Sequence, residues 1–523
     1  MLSVGCDPEE WTHGMQTPRG HLVGTILAVL ILAAATASYA LSGAIHVQAW
    51  VIDTLYTLDI TQRIVIGQSP YVDFVLHVGA LPYLIMAIFQ GSGHAFFLGQ
   101  LAFAAVSLVI GIWIARTRLD AYSGTLLLVG VVLLASGMST TFSSKITLGL
   151  LYNRWAWALG ILFVSATFLD PIRPTRPETN GLLIGLLAFG LFFTKITFFV
   201  ALVPIAFLRF VVFKKWLETV WASATFLICL VGFAAWYGIS FWLGYLEALL
   251  WVSGNELRPV ASRKLTSVLA GPEFLWSTLL YLAFLLACVR FRGGSGASLW
   301  HFALAGGFLF VQYQNYGNVP LWALIAAIFA LNFRKQSVED GTPFERLIWT
   351  ALAIPFLAFA AYTFWPLAEA HVENMRAKEQ GNYVAALSNA DALGRVVIAP
   401  NLINPATDSE TIYKQSTCAY LLGFPSAVGN VAEILAELDE PAFVADATSP
   451  HWLVAGAPPL LGAAPWNYGA IDGLENAAFV VVPTCPLLLH FQRKILENIE
   501  EAGITLVPYQ EREWAQVYRI EMP

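Results

Sequence analysis

Read for its apolar and polar positions, the sequence divides near residue 366. Before that point long apolar runs recur near 22–42, 94–115, 122–142, 152–169, 181–194, 196–213, 217–241, 273–290, 299–315, 319–333 and 345–365. A helix satisfies every backbone N–H and C=O internally, and about 20 residues cross a hydrocarbon core, so each run predicts a transmembrane helix. The first run precedes Ser38-Tyr39-Ala40-Leu41-Ser42-Gly43-Ala44 but is too long for a signal-peptide core, and reads as an uncleaved anchor. Val75 to Gln90 is apolar but short and holds Pro82, which predicts a helix lying on or dipping into the outer surface.

Beyond Pro366 the pattern changes to short Val/Ile-rich runs, Arg395–Ala399, Ala442–Ala445 and Ala478–Val482, separated by helical stretches at Val431–Leu438 and Leu487–Ala502. That alternation predicts an α/β domain of about 150 residues. The predicted fold class is an α-helical polytopic membrane protein with a C-terminal soluble α/β domain. Its expected parts are a cytoplasmic segment 1–21, a transmembrane domain 22–365 with a long first outer loop 42–93, and an extracytoplasmic domain 366–523. The tail shows no phosphate loop, nucleophile elbow or metal signature, and its lone His451 and His490 read as structural. Loops near Gly423–Gly429 and Gly456–Pro465 could line a surface for a glycan acceptor.

Composition sharpens this picture. With 57% hydrophobic and 12% charged residues, an ordinary soluble protein is excluded. Residues 366–523 hold 8 Lys/Arg against 19 Asp/Glu, so the acidic balance belongs to the tail and no basic surface suited to nucleic acid is present. The five cysteines have no zinc spacing; Cys229 and Cys288 sit in apolar runs, while Cys418 and Cys485 could form a disulfide if the tail is extracytoplasmic. An N-terminus inside puts 13 basic residues on the cytoplasmic side, among them Arg116, Arg118, Lys214 and Lys215, against 7 outside, as the positive-inside rule favours. An odd number of spans then places the tail outside.

The loop 42–93 is far longer than two neighbouring helices need, and long loops on a rigid scaffold tend to carry function. Apolar residues at 51, 52, 55, 58, 60 and 64 predict an amphipathic surface helix, on which Asp53 and Asp59 lie on different sides. Gly67-Gln68-Ser69-Pro70-Tyr71 predicts a turn, and Asp73 follows. Asp53, Asp59 and Asp73 are the candidate catalytic carboxylates, with Asp53 as general base for an acceptor hydroxyl. The outward cations Arg63, Lys145, Arg154, Lys195, Arg258, Arg263 and Lys264 run against the charge bias, and a phosphate or diphosphate at the membrane surface would satisfy them. Tyr71 and His77 complete the substrate-binding set. Each aspartate could equally be a polar residue of a wet loop, and each cation a lipid-headgroup contact or a salt-bridge partner.

Asp53 after the first span, Arg63, the turn Gly67–Tyr71 with Asp73, and Gly79-Ala80-Leu81-Pro82-Tyr83 follow one another in an order that resembles the GT-C glycosyltransferases. Tyr152-Asn153-Arg154-Trp155 and the stretch from Gly181 to Lys195 are similar to later parts of that family. The likeness spans roughly the first 215 residues. It implies a multispanning enzyme that takes a sugar from a polyprenyl-phosphate carrier, and the register of Asp53 fourteen positions before Gly67 singles it out over Asp59. Many relatives carry a second carboxylate beside the first and another in the second outer loop; here Thr54 follows Asp53, and the loop Ser139–Leu151 holds Lys145 but no carboxylate. A metal-free inverting transfer is therefore expected, with no cofactor and a divalent ion not favoured. Expected partners are a polyprenyl-phosphate-linked sugar donor, a lipid or cell-envelope glycan acceptor and membrane lipid, at a bacterial inner membrane. A lipid-linked glycan flippase and a non-catalytic polysaccharide-assembly protein remain alternatives.

Overall fold

Each of the eleven predicted spans contains a helix over most of its length in the computed structural model, which describes residues 18–89, 94–140, 143–257, 265–271, 274–292, 297–314, 319–339, 341–381, 383–385, 395–398 and 424–521. The chain runs α1 (Pro18–Ser42), β1 (Ile45–Val47), α2 (Val51–Val65), α3 (Leu81–Ala87), α4 (Ala95–Arg118), α5 (Ala121–Ser136), β2 (Ser139–Thr140), β3 (Ser143–Ile146), α6 (Leu151–Phe168), α7 (Pro177–Thr194), α8 (Ile196–Val212), α9 (Trp216–Tyr237) and α10 (Ile239–Gly254). It continues through α11 (Leu265–Ala270), α12 (Leu275–Arg292), α13 (Ala297–Gln314), α14 (Ala323–Glu339) and α15 (Pro343–Gln380). Six of these, α1, α4, α7, α9, α12 and α15, are long and apolar enough to cross a membrane by length and composition. The chain is a multi-pass membrane protein.

Helix boundaries follow local chemistry. Asp120 accepts the Ser123 N–H at 2.8 Å and starts α5; Thr342 accepts the Glu345 N–H at 3.1 Å and starts α15. Within the bundle, a Cβ on Gly185 would lie 2.3 Å from the Ala222 carbonyl, so only glycine lets α7 and α9 approach this closely. The far side of α9 presents Val220, Ile228 and Val231 outward, the face suited to lipid.

Two expectations needed correction. The run 217–241 is not one span: it breaks at Gly238 (φ 85°), and α10 continues to Gly254, beyond the end of that run. Its Phe241, Trp242 and Tyr245 recur at helical spacing and are buried against Tyr71, Phe192 and Phe193, which holds the helix in place. The amphipathic helix α2 is not half wet; eleven of its fifteen residues are buried because the tail packs over its polar side.

The tail contains α16 (Phe424–Ala436), β6 (Ala442–Val444), α17 (His451–Ala455), β7 (Phe479–Pro483), α18 (Leu489–Glu501), β8 (Thr505–Glu511) and β9 (Ala515–Glu521). The sheet order is β6-β7-β9-β8, with β6 and β7 parallel and the rest antiparallel. Alternation along the strands sends Phe443 and Val480 towards α18 and Val444 and Val481 towards α16, so the sheet is covered on both faces. Each of the three predicted strand runs contains a strand, the first being β5 (Val396–Ile398). That strand pairs in parallel with β1 and antiparallel with β4 (Val384–Ala385). The segment leaving the first helix is thereby an edge strand of a sheet built with the tail. Asn374 of α15, fully buried, fixes this crossing: it accepts the His46 N–H at 3.0 Å and donates to Ser42 Oγ at 2.7 Å and the Ala44 carbonyl at 3.0 Å. Cys485 is disulfide-bonded, Cys229 and Cys288 are free, and Cys418 lies outside the described residues.

Candidate active site

The candidate residues gather at the tail end of the helical domain, where α2, the 67–80 loop, the start of α6 and the α7–α8 junction meet. Asp53 lies in the first turn of α2, half-buried. The loop before α6 closes directly on it: a Cβ on Gly149 would sit 2.6 Å from the Asp53 Cβ, so the approach requires glycine. Removal from water disfavours the ionised form, and burial pushes the Asp53 carboxyl up to about 7. Its charge is felt by Tyr83, whose ring meets Tyr56 edge-on at 6.4 Å.

Lys195 occupies the break between α7 and α8, where its backbone is extended (φ −157°, ψ 103°) and its N–H still bonds the Leu191 carbonyl at 2.9 Å. The side chain is buried, donates from Nζ to Asn153 Oδ1, and lies 5.2 Å from the centre of the Tyr152 ring. The N-terminal dipole of α8 adds to the positive potential of the ammonium here. Gly79 presses on the same break, since a Cβ there would come within 2.1 Å of the Phe193 carbonyl. Residues 149–153, the end of the loop before α6 and its first turn, therefore join the two groups: Gly149 touches Asp53, and Tyr152 and Asn153 touch Lys195.

The tail supplies the opposite wall. Trp466 meets Tyr56 edge-on at 5.9 Å, Tyr468 lies 5.9 Å from Trp466, and Tyr468 and Trp251 flank the His77 ring at 5.4 and 4.9 Å. Tyr468 holds φ at 47°, a conformation side chains rarely adopt, and its carbonyl accepts from Asn255 at 3.2 Å. A continuous run of aromatic contacts leads from His77 through the tail to the neighbourhood of Asp53.

The other predicted residues lie elsewhere. Asp59 sits six positions from Asp53, which at about 100° per residue turns it to another face. There it forms a fully buried ion pair with Arg63 at 2.7 Å. Burial pushes the Asp59 carboxyl up, opposed by Arg63, Trp452 and Ser449. Trp452 Nε1 and Ser449 Oγ donate to it at 3.0 and 3.3 Å, and Arg63 Nη1 donates to the Leu460 carbonyl at 3.0 Å and Gln68 at 3.1 Å. The pair thus fastens α2 to the tail. Asp73 caps the Ser69 N–H at 2.7 Å, and its own carbonyl accepts from Gly462 at 2.8 Å. Tyr71, at φ 64°, donates to the Val78 carbonyl at 2.6 Å and shapes the same turn. Lys145 is exposed on β3, next to Ile146, whose carbonyl holds the strand-to-helix turn at Gln48. Arg154 is buried and donates to the Ser139 carbonyl at 2.6 Å. Arg258, Arg263 and Lys264 lie outside the described residues.

Sequence reasoning gave no site role to Tyr83 or Asn153, although both lie in the stretches that carry the resemblance, and did not single out Tyr56, Trp466 or Tyr468. The two tail aromatics stand about 400 residues from Asp53, and no local pattern links them.

Fold and site together define a multi-pass membrane protein with a carboxyl and an ammonium at one mouth, roofed by an α/β tail. Its chain course is similar to ArnT from Cupriavidus metallidurans bound to undecaprenyl phosphate, at 12% identity and a TM-score of 0.42, over 94% of this chain and 98% of that one. The apo state of ArnT gives 12% identity and a TM-score of 0.45, over 95% and 98% of the two chains. The Archaeoglobus fulgidus oligosaccharyltransferase in complex with Zn and sulfate gives 13% identity and a TM-score of 0.39, over 88% of this chain and 68% of that one. No protein-family model and no curated protein matches the sequence.

Proposed function

We propose that the chain is an inverting glycosyltransferase that moves a sugar from a polyprenyl-phosphate donor to a hydroxyl of a lipid or cell-envelope glycan acceptor on the non-cytoplasmic face. The observation that carries the reading is the pairing of Asp53, a carboxyl poised near neutrality, with the buried ammonium of Lys195 across residues 149–153. The order of motifs along the first half of the chain supports it from the sequence side.

In this mechanism Asp53 accepts the acceptor hydroxyl proton as the acceptor oxygen bonds to the anomeric carbon. The carbon–oxygen bond to phosphate breaks from the opposite face, and the phosphate leaves with the electron pair. Lys195 and the α8 N-terminus stabilise the developing phosphate charge in a site shielded from water. The aromatic wall of Tyr56, Tyr83, Trp466 and Tyr468 is suited to contact with sugar faces and hydroxyls. Gly149 and Tyr83 lie beside Asp53, and Lys195 supplies the cation for this step. Asp59 and Arg63 act at a distance by holding the tail in place. Two features agree with an outward tail: the disulfide at Cys485, suited to an oxidising compartment, and the bias of basic residues to the other side.

Purified protein incubated with radiolabelled polyprenyl-phosphate sugars tests the reading directly, since a flippase or an assembly partner forms no new glycosidic bond. Lys195→Met should lower kcat/KM for the donor by about 10- to 100-fold, the worth of one charge-assisted hydrogen bond. An unchanged kcat/KM would remove Lys195 from the phosphate site.

A further inference from the structure

Where the tail meets α2 there is a cavity of about 130 Å³. It is built from the loop that the sequence singles out for its Gly and Pro content: Ala457, Pro458, Leu460, Ala463 and Ala464 line it, facing β6 and the chain just beyond α16. Its polar groups are Arg63, Ser449, Trp452 and Asn467, with Asp439 and Glu440 exposed among the lining residues. Arg63 is fully buried, and two of its three guanidinium nitrogens are engaged, Nε with Asp59 and Nη1 with Gln68 and the Leu460 carbonyl, while the guanidinium carbon lies 5.5 Å from the centre of the Trp452 ring. Its Nη2 has no hydrogen-bond partner among the described residues, although the guanidinium lines the cavity. A buried donor left in this way costs stability unless something in the cavity accepts from it.

The chemistry restricts what that is. The Arg63 charge is already matched by Asp59, Glu440 is paired with Arg519 at 3.6 Å, and Asp439 adds negative charge, so a phosphate or carboxylate would find no free cation among the lining residues described. A cation would meet the guanidinium. A lipid chain or apolar peptide would leave the donor unsatisfied. An uncharged group rich in hydroxyls can accept from Arg63, donate to Asp439 or Glu440, and rest its carbon face on the indole of Trp452. The volume exceeds that of a few waters and suits one sugar ring. Arg63 lies ten residues from Asp53, roughly 15 Å along the helix axis, so a ring bound here is not the one that reacts.

We propose that this cavity is a subsite for a neutral sugar unit of the acceptor, separate from the reacting position. The assignment of that unit to an acceptor rests on the transferase reading; the binding of a neutral sugar does not. The test uses the full-length protein in detergent and saturation-transfer NMR with four probes: methyl glucoside, methyl mannoside, methyl glucuronide and methyl glucosaminide. At least one neutral glycoside should receive saturation, more strongly than the charged pair. Ala457→Phe, at a half-buried wall position, and Leu438→Trp, from the chain beyond α16, should each weaken the interaction by about tenfold or more with an unshifted melting temperature. Absence of saturation in any neutral probe, equal or better binding of the glucuronide or glucosaminide, or signals unaltered in both folded variants would overturn the subsite and leave a water-filled cavity. The transfer assay separates the two proposals: if the natural protein binds a neutral glycoside but forms no glycosidic bond, the function fails while the subsite stands, and Asp53→Asn should lose transfer yet keep glycoside binding.

Discussion

Asp53→Asn should lower the rate of sugar transfer by about 10²- to 10⁴-fold, the usual contribution of a positioned general base. Asn keeps the size of the side chain, so the packing against Gly149 survives while the proton acceptor is lost. In the natural protein only the carboxylate accepts a proton, and with Asp53 titrating near 7 the value of kcat/KM should rise with pH and level off above that point. The Asn variant should show no such limb. Stability moves the opposite way. Folding raises this carboxyl from 3.8 to about 7, so between those values the folded protein holds a proton that the unfolded chain has released. Its contribution to stability therefore falls as pH rises through that window. Asn carries no such penalty: above pH 7 the variant should melt no lower than the natural protein, and any advantage should shrink towards pH 4. Transfer at the natural rate in a folded Asn variant would remove Asp53 from the mechanism.

The largest effect on stability is expected at Arg63. Arg63→Met leaves the Asp59 carboxylate buried without its partner and strips the Leu460 carbonyl of a donor. Breaking a buried pair from one side typically costs about 3–5 kcal/mol, and thermal melts in detergent should show it. Adding Asp59→Leu to Arg63→Met should recover part of the loss, since replacing both charges with apolar groups is often nearly neutral. A single variant as stable as the natural protein would show that the pair does not fasten the tail.

The spans were legible because membrane-crossing helices carry their signal locally, in twenty or so consecutive residues. The strands at 396–398, 442–444 and 479–483 were legible for a similar reason, as clustered β-branched residues between turn formers. The environment of α2 was not. Its Thr57 and Thr61 are polar side chains, but their hydroxyls donate to the carbonyls four residues back, at 2.8 and 2.9 Å, so both are buried with their donors satisfied. The periodicity of α10 was masked because Gly238 interrupts one long apolar run and Glu247 and Ser253 dilute the next. At the site, the sequence placed Asp53 and Lys195 on the same side, and their junction through residues 149–153 is what folding adds. Asp59 illustrates the limit: a carboxylate four residues before an arginine is equally a substrate clamp or an internal ion pair, and only Trp452 and Ser449, some 390 positions away, decide between them.

The helix α15 has 38 residues, about 57 Å at 1.5 Å each, nearly twice the thickness of a hydrocarbon core. It carries the tail on a long mast, while β1 pairs with β5 and Arg63 bonds the Leu460 carbonyl. A fragment cut free at residue 366 would keep the mast's upper end but strip β5 of its parallel neighbour. That bare strand margin is the kind of surface that recruits foreign strands, so the severed piece would be prone to clumping rather than behaving as a ready-made soluble module.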